Sequence, residues 1–183
     1  MSKHTKIICT LLLFPLTTLI YGFCTTQYIT VFNSILTAMC IIVFTLFNKK
    51  TSIFNLKTFY SVIVFILLAV FFGRTLKLYD IISFWDKILH FVSGFVIASA
   101  AEQIYQKLNG DEGNKPLKYW FIFLFAAASA AVWEFYEFAV DSVAHIQAQN
   151  GLADTMLDMI AGTASAILFI AFKRINHNYR LSR

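Results

Sequence analysis

The sequence predicts an all-α, polytopic membrane bundle of six spans with both termini on the cytoplasmic side, and three observations carry that prediction. Of the 183 residues, 58% are hydrophobic and 14% charged, too apolar a balance to be covered by a soluble surface. Six apolar runs of near-span length follow one another along the chain. The basic residues gather at alternate ends of those runs, which is the pattern of membrane orientation.

The runs place helices at Ile7 to Phe23, Ile29 to Phe47, Thr58 to Gly73, Ile88 to Tyr105, Lys118 to Val140 and Thr155 to Phe172. The first follows Lys3 and Lys6 and has a signal peptide as its alternative. It continues past Pro15, no small-x-small cleavage site follows it, and Tyr21-Gly22-Phe23 is a poor acceptor sequence before Cys24, so it reads as a retained span. The third run is short for a hydrocarbon core of about 30 Å, with Lys57 and Arg74 placed to snorkel from its two ends. Six spans of about 20 residues leave little chain for a soluble domain, so function is expected inside the bundle.

With the N-terminus inside, Lys3, Lys6, Lys49, Lys50, Lys57, Lys107, Lys115, Lys118, Lys173, Arg174, Arg180 and Arg183 all fall on the cytoplasmic side. Only Arg74, Lys77 and Lys87 fall outside, and a five-span alternative would misplace the basic tail. The net charge of +5 is accounted for by this flanking pattern, and no nucleic-acid role is assigned. Cys9, Cys24 and Cys40 are odd in number and lack CxxC spacing, which supports neither a disulfide framework nor a cysteine zinc site.

The same orientation collects Asp80, Asp86, Glu134, Glu137, Asp141, Asp154 and Asp158, with His90, at the extracytoplasmic end. The other acids, Glu102, Asp111 and Glu112, belong to the cytoplasmic end of the fourth span and the polar loop from Asn109 to Lys115. The first three spans contain no acid, so residues 1–78 read as scaffold and 79–183 as the working half. A carboxylate near lipid depth is costly unless paired, protonated or bound to a cation, so the cluster calls for a physical account.

Helical spacing sorts it. Asp86 and His90 are four apart and share a face that continues through Gly94 and Ala98. Glu134, Glu137 and Asp141 form a stripe on the fifth span, extended inward by Ala126, Ala127 and Ala130. On the sixth, Asp158 faces the same way as Gly162, with Ser165 and Ala166 below. Helix capping is the competing reading for Asp86, with Ser83 just before it, and for Asp154. His145, in the loop from Ser142 to Ala153, reads either as a further ligand or as a surface histidine. The carboxylates have three remedies for mutual repulsion: shared protons, pairing with Arg74, Lys77 and Lys87, or divalent cations. Oxygen ligands with imidazole suit magnesium, calcium, manganese, zinc or iron. The pattern matches neither the Glu-x-x-His pairs of di-iron bundles nor the His-Glu-x-x-His zinc helix.

At Trp85-Asp86-Lys87-Ile88-Leu89-His90-Phe91 with Gly94, Trp133-Glu134-x-x-Glu137-x-x-x-Asp141 and Asp154-Thr155-x-x-Asp158-Met159, the chain resembles the YjdF-like family of bacterial inner-membrane proteins. Some members have Gln after the Asp-Thr pair, where this chain has Met156. The Asp-Lys-x-x-His-Phe segment and the acidic last helix are more weakly similar to VanZ-like membrane proteins. The resemblance implies a multi-span bundle in the bacterial cytoplasmic membrane; the partners expected of such a bundle are membrane lipids, with a small-molecule or lipid substrate.

The leading functional expectation is a divalent metal ion held by His90, Glu134, Glu137 and Asp158, with Asp86, Asp141 and Asp154 as further ligands. Asp141 or Asp154 is the candidate general base of a metal-dependent hydrolase or transferase acting on a lipid or envelope precursor. An ion- or proton-coupled transporter is the second expectation and a membrane scaffold or regulator the third. Below the acids the fifth and sixth spans offer mostly Ala, Gly, Ser and Thr, a poor path for ions.

Overall fold

Six helices long and apolar enough to cross a membrane make up nearly all of the computed structural model, which describes residues 3–110, 114–144 and 151–181. No strand occurs among the described residues. The helices are α1 (Lys3–Cys24), α2 (Tyr28–Thr51), α3 (Leu56–Ile66), a short α4 (Leu78–Ile81), α5 (Trp85–Asn109), α6 (Lys115–Ala144) and α7 (Leu152–Leu181). α3 runs on without a break into a π-helical stretch, Leu67–Thr75, and the two together make the third span. Every span is longer than its apolar run, because helices continue through flanking lysines that end the hydropathy signal. The π-helical stretch and α4 have no counterpart in the sequence expectations.

The chain divides into two compact units, Met1–Trp85 and Asp86–Arg183. The first is built around Ile8, Ile41, Phe59, Ile63, Leu67 and Phe71, with Phe44 stacked on Phe54 and Phe59. Within lipid, apolar contact alone does not favour one helix neighbour over another, so small and polar contacts set the pairing. One is the hydrogen bond between Thr18 of α1 and the buried Ser34 of α2, at 2.8 Å. The turn after α2 is closed by Asn48, whose amide donates to the Phe54 carbonyl at 3.1 Å and whose side-chain oxygen accepts from the Phe54 N–H at 2.9 Å. Asn55 then caps α3 by accepting from the Thr58 N–H at 3.0 Å. Asn48→Ala removes both bonds of that clasp and is expected to cost about 1–2 kcal/mol, read from thermal unfolding of the purified chain in detergent.

The second unit comprises α5 from Asp86 onward, α6 and α7. Its centre is Ala98, Ala101, Ile122, Ala126, Ala166 and Phe169, a core of small residues with two large ones. At the end of α5 nearest Asn109, the buried Glu102 carboxylate meets Lys118 of α6 at 3.6 Å and Lys173 of α7 at 2.6 Å. A single acid thus ties three helices. Outward-facing residues such as Leu124, Val132, Phe135, Ile160 and Leu168 are exposed, as a lipid-facing surface requires.

Candidate functional site

The polar site lies at the opposite end of this unit, where α5 begins, α6 ends and α7 begins. Neither Asp86 nor Asp154 occupies the N-cap position. α5 starts at Trp85, and α7 starts at Leu152 after Gly151, whose φ of +102° is open to glycine at little cost. Both acids instead sit inside first turns, where the positive end of the helix dipole still favours a carboxylate.

Asp86, His90 and Asp158 come together so that one ligand atom from each lies within 4.8 Å of the others. His90 and Asp158 are buried and Asp86 is half-buried. His90 Nε2 stands 3.7 Å from Asp86 Oδ1 and 3.8 Å from Glu134 Oε1, too far for hydrogen bonds to either. Two atoms bound to one zinc- or magnesium-sized ion stand about 3 to 4.2 Å apart, and about 5 Å apart across calcium. The separations around His90 fall in that range.

Glu134 is 3% exposed, and neither of its carboxylate oxygens makes a hydrogen bond of normal geometry. The buried Thr155 hydroxyl stands beside this carboxylate as a weak polar partner. Asp158, 1% exposed, is met by Lys87, whose Nζ donates to Oδ2 at 3.0 Å and is also paired with Asp154. Four acidic side chains, Asp86, Glu134, Asp154 and Asp158, therefore share one lysine and one imidazole.

Glu137 does not join the converging group. It accepts a hydrogen bond from the Trp133 indole at 2.8 Å, one turn back on its own helix. Asp141 is half-buried on α6 and also stands outside the group. Asp80, Arg74 and Lys77 are exposed residues of the first unit. His145, Gln147, Gln149 and Asn150 lie outside the described residues, as do Asp111 and Glu112.

Small residues permit the convergence. Gly94 of α5 packs so tightly on α7 that an added Cβ would fall on the Gly162 carbonyl oxygen and the Ser165 hydroxyl. Ser165 is fully buried and donates to the Gly162 carbonyl at 3.0 Å. At Gly162 the added atom would meet Ala130 of α6 and the His90 carbonyl at an ordinary 3.5 Å. The spacing that put Gly94 below His90, and Gly162 below Asp158, thus corresponds to one close crossing directly beneath the polar group. The partnership of Glu102 with Lys118 and Lys173 was missed in the sequence, because its members come from three separated segments.

Fold and site together define a multi-pass helical membrane protein with a buried carboxylate–histidine cluster at one end. The family model described as "Predicted membrane protein (DUF2238)" matches residues 7–179, and the chain belongs to that family. A Thermotoga maritima protein described as "Uncharacterized protein" is 40% identical over 89 residues, or 48% of this chain and 46% of the relative. The match thus spans about half the length of each protein. No solved structure matches the chain.

Proposed function

We propose that Asp86, His90, Glu134 and Asp158 hold a divalent cation at the extracytoplasmic end of a bacterial cytoplasmic-membrane protein. The observation that carries this reading is Glu134. Its buried carboxylate has no hydrogen bond of normal geometry, even to the Thr155 hydroxyl beside it, and it sits 3.8 Å from an imidazole nitrogen that also faces Asp86 and belongs to the Asp158 group. Desolvating a carboxylate without a compensating partner costs several kcal/mol, and a cation shared with three neighbouring ligands removes that cost. One imidazole with carboxylate oxygens favours zinc or iron over magnesium or calcium.

A metal there would lower the pKa of a bound water, with Asp141 or Asp154 as candidate bases, which supports hydrolysis or transfer on a lipid or envelope precursor. The finer resemblance to YjdF-like and VanZ-like proteins belongs to this reading. A second reading, a non-catalytic scaffold, is favoured by one observation. Lys87 already bridges Asp154 and Asp158, as an internal ion pair would. Ion transport has less support, because Ala98, Ala101, Ile122, Ala126, Ala166 and Phe169 pack the interior between this end and Glu102.

The test is elemental mass spectrometry on chain purified in detergent and supplied in turn with zinc, iron, manganese, magnesium and calcium. About one ion per chain is expected for wild type, with affinity lower by about 100-fold in Glu134→Ala and in Asp158→Ala. Folded wild-type protein that retains none of these ions would overturn the proposal.

A further inference from the structure

At the other end of the second unit, α6 and α7 leave a groove of about 560 Å³ between them. That volume lies within the range of small-molecule pockets. Tyr119, Trp120, Phe123 and Ile170 make its walls, Lys115 and Arg174 stand among the lining residues, and none of those residues is acidic. Two neighbouring lysines, Lys118 and Lys173, have their acid in Glu102. The Arg174 guanidinium instead lies over the Tyr119 ring, 5.8 Å from its centroid, which holds it beside the groove. By the distribution of basic residues this end faces the cytoplasm.

We propose that this groove binds an acidic phospholipid of the inner leaflet, its phosphodiester on Arg174 and Lys115 and an acyl chain along Trp120, Phe123 and Ile170. The chemistry on both sides is complementary. A guanidinium offers a planar fork of donors that fits phosphate oxygens. The aromatic and aliphatic walls offer an acyl chain continuous apolar contact, and Trp120 is 63% exposed, as suits a ring at the lipid interface. Among the described lining residues two are cationic and none is acidic, which favours net negative lipids over zwitterionic ones. Basic pockets between spans on the cytoplasmic side are the expected place for such headgroups. The site is independent of the cation proposed at the other end.

The experiment uses the full chain in detergent, with phosphatidylglycerol or phosphatidylcholine of the same acyl chains added. Native mass spectrometry reads bound lipid, and the thermal unfolding midpoint reads stabilisation. Phosphatidylglycerol is expected to stay bound and to raise the midpoint in a dose-dependent way, while phosphatidylcholine does neither. Lys115→Gln/Arg174→Gln is expected to weaken phosphatidylglycerol binding by about 10- to 30-fold, from about 1 kcal/mol per basic residue. Ile170→Trp, which fills the groove and leaves both cations in place, should weaken it as well. It keeps the test decisive if the double variant does not fold. Equal binding of the two lipids overturns the proposal, as does undiminished phosphatidylglycerol binding in the folded variants. Stabilisation by inorganic phosphate alone to the same degree also overturns it, since the occupant would then need no acyl chain.

Discussion

Gly94→Ala is expected to destabilise the second unit by about 3 kcal/mol or more, whereas Gly162→Ala leaves it as stable as wild type or slightly more so. The two glycines look alike in the sequence, each in a helix with small residues nearby. The structure separates them by what an added methyl group would meet. At Gly94 it meets the Gly162 carbonyl oxygen and the Ser165 hydroxyl, of which the first is backbone and cannot turn aside. α5 and α7 would have to move apart. That separation opens the core at Ala98 and Ala166, which are fully buried, and lipid supplies no hydrophobic force to draw the helices together again. At Gly162 the added methyl meets Ala130 and the His90 carbonyl at normal van der Waals distance, so the usual gain of alanine over glycine within a helix survives. Thermal unfolding in detergent reads both, with a midpoint for Gly94→Ala lower by about 10 °C or more. A wild-type midpoint for Gly94→Ala would refute the tight crossing. Because His90 lies one turn above Gly94 and Asp158 one turn above Gly162, the same variant is expected to move Asp86, His90 and Asp158 apart and, on the proposed metal-site reading, to weaken cation binding.

The contrast between those glycines shows how far the sequence was legible. Six spans were readable because about 20 consecutive apolar residues have few other physical uses. Their ends were not, since Lys115 and Lys173 lie in helices whose charged side chains can still reach water. The irregular third span was also hidden. In its π-helical geometry the Leu76 N–H reaches back five residues to the Phe71 carbonyl, and the one breaker there, Gly73, marked only the expected end of the span.

In the site, helical spacing selected His90, Glu134 and Asp158, all of which prove buried. Spacing treated Glu137 as equivalent to Glu134, yet the Trp133 indole, one turn back on the same helix, donates to the Glu137 carboxylate and holds it apart from the converging group. Asp86 had helix capping as its competing explanation and now belongs to the converging group. Spacing names a face but not the partner that occupies it. The position of Lys87 between Asp154 and Asp158 joins residues 67 and 71 apart in the chain.

Lys87→Met is expected to lower the stability of the ion-free protein by about 1.5–3 kcal/mol and to raise its affinity for a divalent cation tenfold or more. The stability loss follows from leaving the fully buried Asp158 without the ammonium that donates to it at 3.0 Å. It stays below the 3–5 kcal/mol typical of a fully buried pair. Lys87 and Asp154 keep 30% and 25% of their side-chain surface exposed, so water compensates part of the change. The affinity gain has the opposite origin. In wild type the ammonium is a positive charge already lodged against two of the acids, and any incoming cation must overcome it. Once Lys87 is replaced, Asp154 and Asp158 are released to the same site as Asp86, His90 and Glu134, and the added ion should restore the stability that the substitution removed. Titrating zinc or manganese while following the unfolding midpoint of wild type, Lys87→Met and Lys87→Met/Asp158→Asn reads all of this together. The metal-site reading requires rescue in the single variant and its loss in the double variant. If Lys87→Met is destabilised and no ion restores it, the lysine itself is the cation the carboxylates were built to hold, and the cluster is an ion-paired scaffold.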